Sequence, residues 1–186
     1  MMIILETDRL VLRKMNPGDY FDLCNIMKDP QVMYAYEGAF SDNEIRQWLG
    51  RQLERYENDG FGLWAVILKD TREFIGQCGI TMQEYKGSQV PEIGYLFNKR
   101  FWHRGYATEA ATACKDYAFR KLGMDSIYSI IRDSNAASQN VALRNGMNAV
   151  DKIIKHYRDM DMPHIVFVVR KQLPGSENVK TSLQLT

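Results

Sequence analysis

Cysteine is scarce in this chain of 186 residues: Cys24, Cys78 and Cys114 are odd in number and far apart. Their spacing suits neither a disulfide framework nor a metal-ligand set, so they read as buried or half-buried thiols in a reducing compartment. Histidine is equally sparse, and His103, His156 and His164 are too scattered to suggest a zinc site. No charge of either sign dominates. The 24 basic and 23 acidic residues leave a net charge of +1, which argues against a general nucleic-acid binder, because that role needs a basic excess. Long apolar runs are missing too. Met1-Met2-Ile3-Ile4-Leu5 is too short for a signal segment and is followed at once by charges, and no stretch approaches membrane-spanning length. Internal repeats, low-complexity tracts and inter-domain linkers are also lacking. A cytoplasmic protein that engages neither membrane nor nucleic acid is expected.

What is present suffices for one well-packed core, at a length and apolar content ordinary for a globular domain. Arg9-Leu10-Val11-Leu12-Arg13 alternates as a first strand. Asn16-Pro17-Gly18-Asp19 turns into a helix whose apolar face is Tyr20, Leu23, Ile26 and Met27, and Asp29-Pro30 stops it. Ser41-Asp42-Asn43-Glu44 has the form of a capping box ahead of a second helix, with Ile45, Trp48, Leu49, Leu53 and Tyr56 at helical spacing. Leu63 to Leu68, Phe74 to Met82 and Ile93 to Phe97 read as strands. A helix from about Ala107 ends near Leu122-Gly123. Ile127 to Ile131 is a short strand and Asn135 to Asn145 a helix. Val150 to Tyr157 and His164 to Val169 form a final hairpin.

The stretch richest in chemical information runs from Pro91 to Ala111. A strand leads into the loop His103-Arg104-Gly105-Tyr106-Ala107, and that loop enters a long helix. Small residues at such an entry let backbone N–H groups face outward, and the helix N-terminus adds a partial positive charge, so the site suits a phosphate group. The loop lacks the Gly-Lys-Ser/Thr ending that a mononucleotide-binding domain would need.

Trp102-His103-Arg104-Gly105-Tyr106-Ala107 resembles the coenzyme A-binding loop of the GNAT N-acetyltransferase superfamily, Gln/Arg-x-x-Gly-x-Gly/Ala, with Trp102 departing at the first position. The tryptophan, followed by Gly-Tyr-Ala-Thr-Glu-Ala, is similar to the Rim-type branch, which includes enzymes that acetylate ribosomal-protein N-termini. A second stretch, Asn135-x-x-Ser138-x-x-Val141-x-x-x-x-Gly146-Met147, matches another family motif except for methionine in place of phenylalanine. The resemblance covers a domain at residues 7–172, with 173–186 left as a polar tail. It implies a mixed α/β fold, a twisted and mostly antiparallel sheet of about six to seven strands flanked by four helices. The implied activity is direct transfer of an acetyl group from acetyl-CoA to a primary amine, either a protein N-terminal α-amine or a small-molecule amine, without metal, by a monomer or homodimer. The alternative is a non-catalytic acyl-CoA-binding module.

The resemblance also implies roles for particular residues. The amides of His103, Arg104, Gly105, Tyr106, Ala107 and Thr108 would hold the pyrophosphate, with Arg100 and Arg104 as further candidates for charge near the phosphates. Backbone donors from Tyr95, Leu96, Phe97 and Asn98 would bind the pantetheine arm where the central strand splays from its neighbour at a bulge. Glu92, at the start of that strand, would be the general base, often through water, or else a surface charge at the strand's edge with water as the base. Asn135 would bind the pantetheine arm, and Ser138 would donate to the leaving thiolate. A tyrosine that many relatives place one turn beyond Ser138 is missing, because positions 142 and 143 are Ala142 and Leu143. Glu109 reads as structural. Tyr34, Tyr36, Trp48, Trp64 and Tyr85 are candidates for the amine pocket, with Trp48 and Trp64 favoured as core.

Overall fold

The computed structural model describes residues 2–36, 38–157 and 160–172; the tail expected at 173–186 lies outside the described residues. Local chemistry sets the first helices. Asn16 and Asp19 cap each other's backbone, starting a short 3-10 turn that runs into helix α1 (Tyr20–Met27). Ser41 accepts the Glu44 N–H, while the Ser41 N–H donates to Glu44 Oε2 at 2.7 Å. This capping box starts α2 (Asp42–Asn58), which turns Ile45, Leu49, Gln52 and Tyr56 inward. Helix α3 (Tyr106–Arg120) buries Ala110, Ala111, Cys114 and Ala118, small side chains that let it lie close to the sheet. Helix α4 (Ala136–Arg144) is capped by Asn135, whose side chain accepts the Ser138 N–H at 3.0 Å.

The sheet has eight strands: β1 (Ile3–Glu6), β2 (Leu10–Arg13), β3 (Leu63–Leu68), β4 (Phe74–Tyr85), β5 (Ser88–Phe97), β6 (Ser126–Arg132), β7 (Asn148–Tyr157) and β8 (Met160–Arg170). Their order is β1-β2-β3-β4-β5-β6-β8-β7. The first strand was not expected from the sequence; its Ile3, Leu5 and Glu6 pair antiparallel with β2, with the register shifting between Ile3 and Leu5. Strands β4 and β5 also extend past Met82 to a tight turn at Lys86-Gly87, both with positive φ. The core is continuous, with fully buried Leu10, Leu12, Leu23, Ile26, Trp64, Ile75, Ile80 and Ile127. Trp64 packs edge-on against Tyr117, so its expected core role holds. Cys78 and Cys114 are buried thiols with sulfurs 3.6 Å apart, and Cys24 is half-buried.

One seam breaks the regularity. Strands β5 and β6 run parallel and pair only at Glu92 with Tyr128, then diverge toward the C-terminal end of β5. Two side-chain bonds brace the seam beside that pair: Ser129 Oγ donates to the Ile93 carbonyl at 3.1 Å, and the Ile130 N–H donates to Glu92 Oε1 at 2.7 Å. The register of β5 against β4 is unbroken along the whole strand. The expected splay is therefore present, but no bulge in β5 produces it; the strands simply part.

Candidate active site

A cavity of about 780 Å³ opens at this seam, lined by β5, β6, the N-terminal turns of α3 and α4, and the inner faces of α2, β7 and β8. At one end lies the loop into α3. His103 and Gly105 both adopt the left-handed conformation, at φ 60° and 81°, which is why a glycine stands at 105. Gly105 is the N-cap and offers no side chain to the helix. The first backbone N–H to find a helical acceptor is that of Glu109, on the Gly105 carbonyl. The N–H groups of Tyr106, Ala107 and Thr108 therefore precede the helical ladder. All three residues line the cavity, as do His103 and Gly105.

Arg9 holds this loop from the turn between β1 and β2. Its Nη1 donates to the Arg104 carbonyl at 3.0 Å, its Nε to Glu109 Oε2 at 2.7 Å, and its guanidinium stacks 4.4 Å over the Tyr106 ring. Burial works to raise the Glu109 carboxyl, but bonds from Thr7 and Arg9 outweigh it and hold it below the ordinary value. Glu109 is thus a bracket between sheet and helix. Arg104 does not line the cavity, and its guanidinium lies over Phe101; Arg100 stacks on the same ring and faces Glu73. The cation that does border this loop is Arg144, at the last turn of α4, which lines a recess with His103, Gly105, Thr108 and Glu109. Sequence reasoning missed it because it lies on a different element, 39 positions from Gly105.

The splayed strand supplies donors, though fewer than expected. The Asn98 N–H donates to the Ile75 carbonyl at 2.9 Å, and the Asn98 side chain caps the following 3-10 turn through the Arg100 N–H. Alternate residues of a strand face the same neighbour, so the Leu96 N–H also points to β4. The N–H groups of Tyr95 and Phe97 point the other way, into the seam. Asn98 and Leu96 are thereby corrected as backbone donors. The Leu96 side chain still lines the cavity, whereas Asn98 does not.

Glu92 is half-buried and opens on the cavity. Burial pushes its carboxyl pKa up, partly opposed by Lys155, the Ile130 N–H and Arg55. Opposite, Asn135 and Ser138 line the cavity at the start of α4. The Tyr95 hydroxyl donates to the Ser138 carbonyl at 2.9 Å, and burial raises its pKa, so it carries its proton at neutral pH. A protonated phenol thus stands beside Ser138 from β5, although α4 carries no tyrosine there. Its side-chain placement was not visible in the sequence, because it depends on how β5 and α4 meet.

Beyond Glu92 the cavity continues between α2 and the β7–β8 hairpin. Tyr34, Tyr36 and Trp48 line it, and Trp48 donates from Nε1 to Gln77 at 2.9 Å. Trp48 is therefore a half-exposed wall residue and not plain core. Tyr85 lies elsewhere, bonded to Asp151. Among the described residues no group of His, Cys, Asp or Glu is placed to hold a metal ion, and no helix is long and apolar enough to cross a membrane.

The cavity joins a parted parallel seam to a helix N-terminus that has no side-chain cap, and comparison with known proteins gives the family. The acetyltransferase (GNAT) domain profile matches residues 9–148, so the chain belongs to that family. It is 39% identical over 145 residues to the Bacillus subtilis protein YkkB, covering 77% of this chain and 84% of the relative. It is 32% identical over 139 residues to the N-acetyltransferase p20 of Bacillus licheniformis, covering 74% and 78%. In fold it is similar to RimL, a ribosomal L7/L12 α-N-protein acetyltransferase solved with coenzyme A. That match has a TM-score of 0.76 at 16% identity and covers 90% of this chain and 97% of RimL. The chain is an N-acetyltransferase.

Proposed function

We propose that this chain binds acetyl-CoA along the β5–β6 seam and transfers its acetyl group directly to a primary amine held in a ternary complex. The observation that carries this is the convergence, on one cavity, of the uncapped α3 N-terminus, the Tyr95 and Phe97 amides, and the half-buried Glu92 carboxylate. Acetyl-CoA supplies the activated thioester. The amides of Tyr106, Ala107 and Thr108 and the Arg144 guanidinium suit its phosphates. The Tyr95 and Phe97 amides orient the arm and polarise the carbonyl.

An ammonium cannot attack until it loses a proton. Glu92, with a raised pKa and one oxygen held by Ile130, takes that proton directly or through water. The amine nitrogen bonds the carbonyl carbon as the carbon–sulfur bond breaks. The departing sulfur receives a proton from the Ser138 hydroxyl or, in its place, the Tyr95 phenol. A protein N-terminus and a small-molecule amine both remain acceptors on this reading.

The test is thiol release on mixing the protein with acetyl-CoA and an amine library, beside the melting shift given by coenzyme A alone. Stabilisation with thiol release is the expected pair of results. Stabilisation without thiol release from any amine would reduce the chain to a binding module, and no stabilisation would remove the coenzyme from the seam.

A further inference from the structure

The end of the cavity beyond Glu92 has a charge that acetyl transfer to an amine does not by itself require. Arg51 and Arg55 project from α2, and Lys155 from β7 on the opposite wall; all three line the cavity. None has an ion pair among the described residues. Arg51 stacks 5.7 Å from the Trp48 ring centre, and Arg55 has one 3.2 Å bond, from Nη1 to the amide oxygen of Gln52. Lys155 and Arg55 both act on Glu92 through space without reaching ion-pair distance, and Asp59 acts on Arg55 in the same way. Of the other charged groups at this end, His156 is paired with Asp161 at 3.1 Å, and Arg132 donates to the Tyr34 carbonyl. Among the described residues Glu92 is the only carboxylate that lines the cavity.

An amine arrives mostly as an ammonium ion. Three uncompensated cations around one carboxylate repel it, unless the same molecule carries a negative group. Guanidinium forks match carboxylate and phosphate geometry, and a partly desolvated fork binds them more strongly than an exposed one. Helix α2 places two such forks on one side of the carboxylate that would receive the amine's proton, and β7 places the Lys155 ammonium on the other.

We propose that the acceptor is a primary amine bearing its own anionic group, a carboxylate or phosphate, which Arg55, Arg51 and Lys155 bind while Glu92 faces the amine. The proposal rests on the acetyl-transfer reading above. Two sources share this chemistry: a small amino acid or aminoalkyl phosphate, and an acidic peptide that begins with a free α-amine.

The experiment compares matched acceptors with the full chain and saturating acetyl-CoA. The pairs are O-phosphoethanolamine with ethanolamine, L-phenylalanine with L-phenylalaninamide, and a peptide with aspartate at its second and third positions with its asparagine counterpart. The anionic member of at least one pair should be favoured at least about tenfold in kcat/KM. That preference should collapse in Arg55→Gln and in Lys155→Gln, each checked for folding by its melting shift with coenzyme A. The pair that shows the preference identifies the source. Equal rates within every pair, or a preference for the neutral member, would overturn the proposal and leave acetyl transfer standing. A second arm needs no turnover. O-Phosphoethanolamine should further stabilise the coenzyme A-loaded protein and should not do so in the Arg55→Gln/Lys155→Gln double variant. Equal responses of wild type and double variant would overturn the anion site, while coenzyme A stabilisation on its own reports separately on the seam.

Discussion

Replacing Glu92 with glutamine removes a charge and a base while keeping size and one carbonyl oxygen. That oxygen can still accept the Ile130 N–H, which the carboxylate now takes at 2.7 Å, so the brace across the seam survives. Burial raises the Glu92 pKa in the folded protein. The native state therefore binds this proton more tightly than the unfolded chain does. Wild-type stability should fall as pH rises from the ordinary carboxylate value through the raised native one, and the penalty is fully present above the native value. Glutamine mimics the neutral acid, so Glu92→Gln should melt no lower than wild type at pH 7 and should keep its coenzyme A shift. Turnover should behave oppositely. Loss of a general base typically lowers rate by about 10²–10⁴-fold, which corresponds to about 2.7–5.4 kcal/mol of barrier. The assay is thiol release at saturating acetyl-CoA, with kcat/KM for the amine followed from about pH 6 to pH 10. Wild type should turn over below the pH at which the amine itself becomes neutral, and the variant should regain rate only above it. A variant profile that overlays wild type would refute the assignment, leaving Glu92 as the brace of the seam and nothing more.

Coenzyme A at a hundredfold excess over its Kd should stabilise wild type by about 2.7 kcal/mol, and Gly105→Glu, which forces a charged side chain into a left-handed position at φ 81°, should abolish that shift in a thermal melt. Asn135→Ala should cost about 1 kcal/mol through the lost cap and weaken acetyl-CoA binding. Ser138→Ala should lower kcat more than it raises KM, and unaltered turnover would pass the proton role to Tyr95, which Tyr95→Phe then tests by the same kinetics. Asp19→Ala should cost about 3–5 kcal/mol in denaturant unfolding, because Arg13 is buried and would lose the two bonds of 2.6 and 2.7 Å that neutralise it; a loss under 1 kcal/mol would mean that water reaches the guanidinium.

Features fixed by neighbours in sequence were the most legible. The capping box at Ser41 and Glu44, the small face of α3 and the Asn135 cap each involve residues within a few positions of one another, and each is present. The apolar run Ile3-Ile4-Leu5 was less legible, because only its pairing with β2 makes it a strand. The site divides the same way. The course of the chain at His103 to Thr108, a loop turning into α3 at Gly105, could be read from neighbouring residues. The loss of Asn98 as a donor could not, because it depends on the Ile75 carbonyl on another strand. Arg144, Tyr95 and the cations of α2 and β7 converge only after the sheet has curved and parted, and no spacing along the chain encodes that meeting.

The parting of β5 from β6 also settles a difficulty common to enzymes that use strand amides as ligands. Unpaired N–H groups ordinarily sit on the outer rim of a sheet, where they can template addition of a foreign chain. Here the two open rims lie inside the molecule and face each other across a cleft lined by the first turns of α3 and α4. A thin, flexible arm can enter such a cleft; another protein's strand, with side chains on both faces, cannot. The geometry therefore keeps hydrogen-bonding capacity available for a small guest without turning the middle of the sheet into a seed for aggregation.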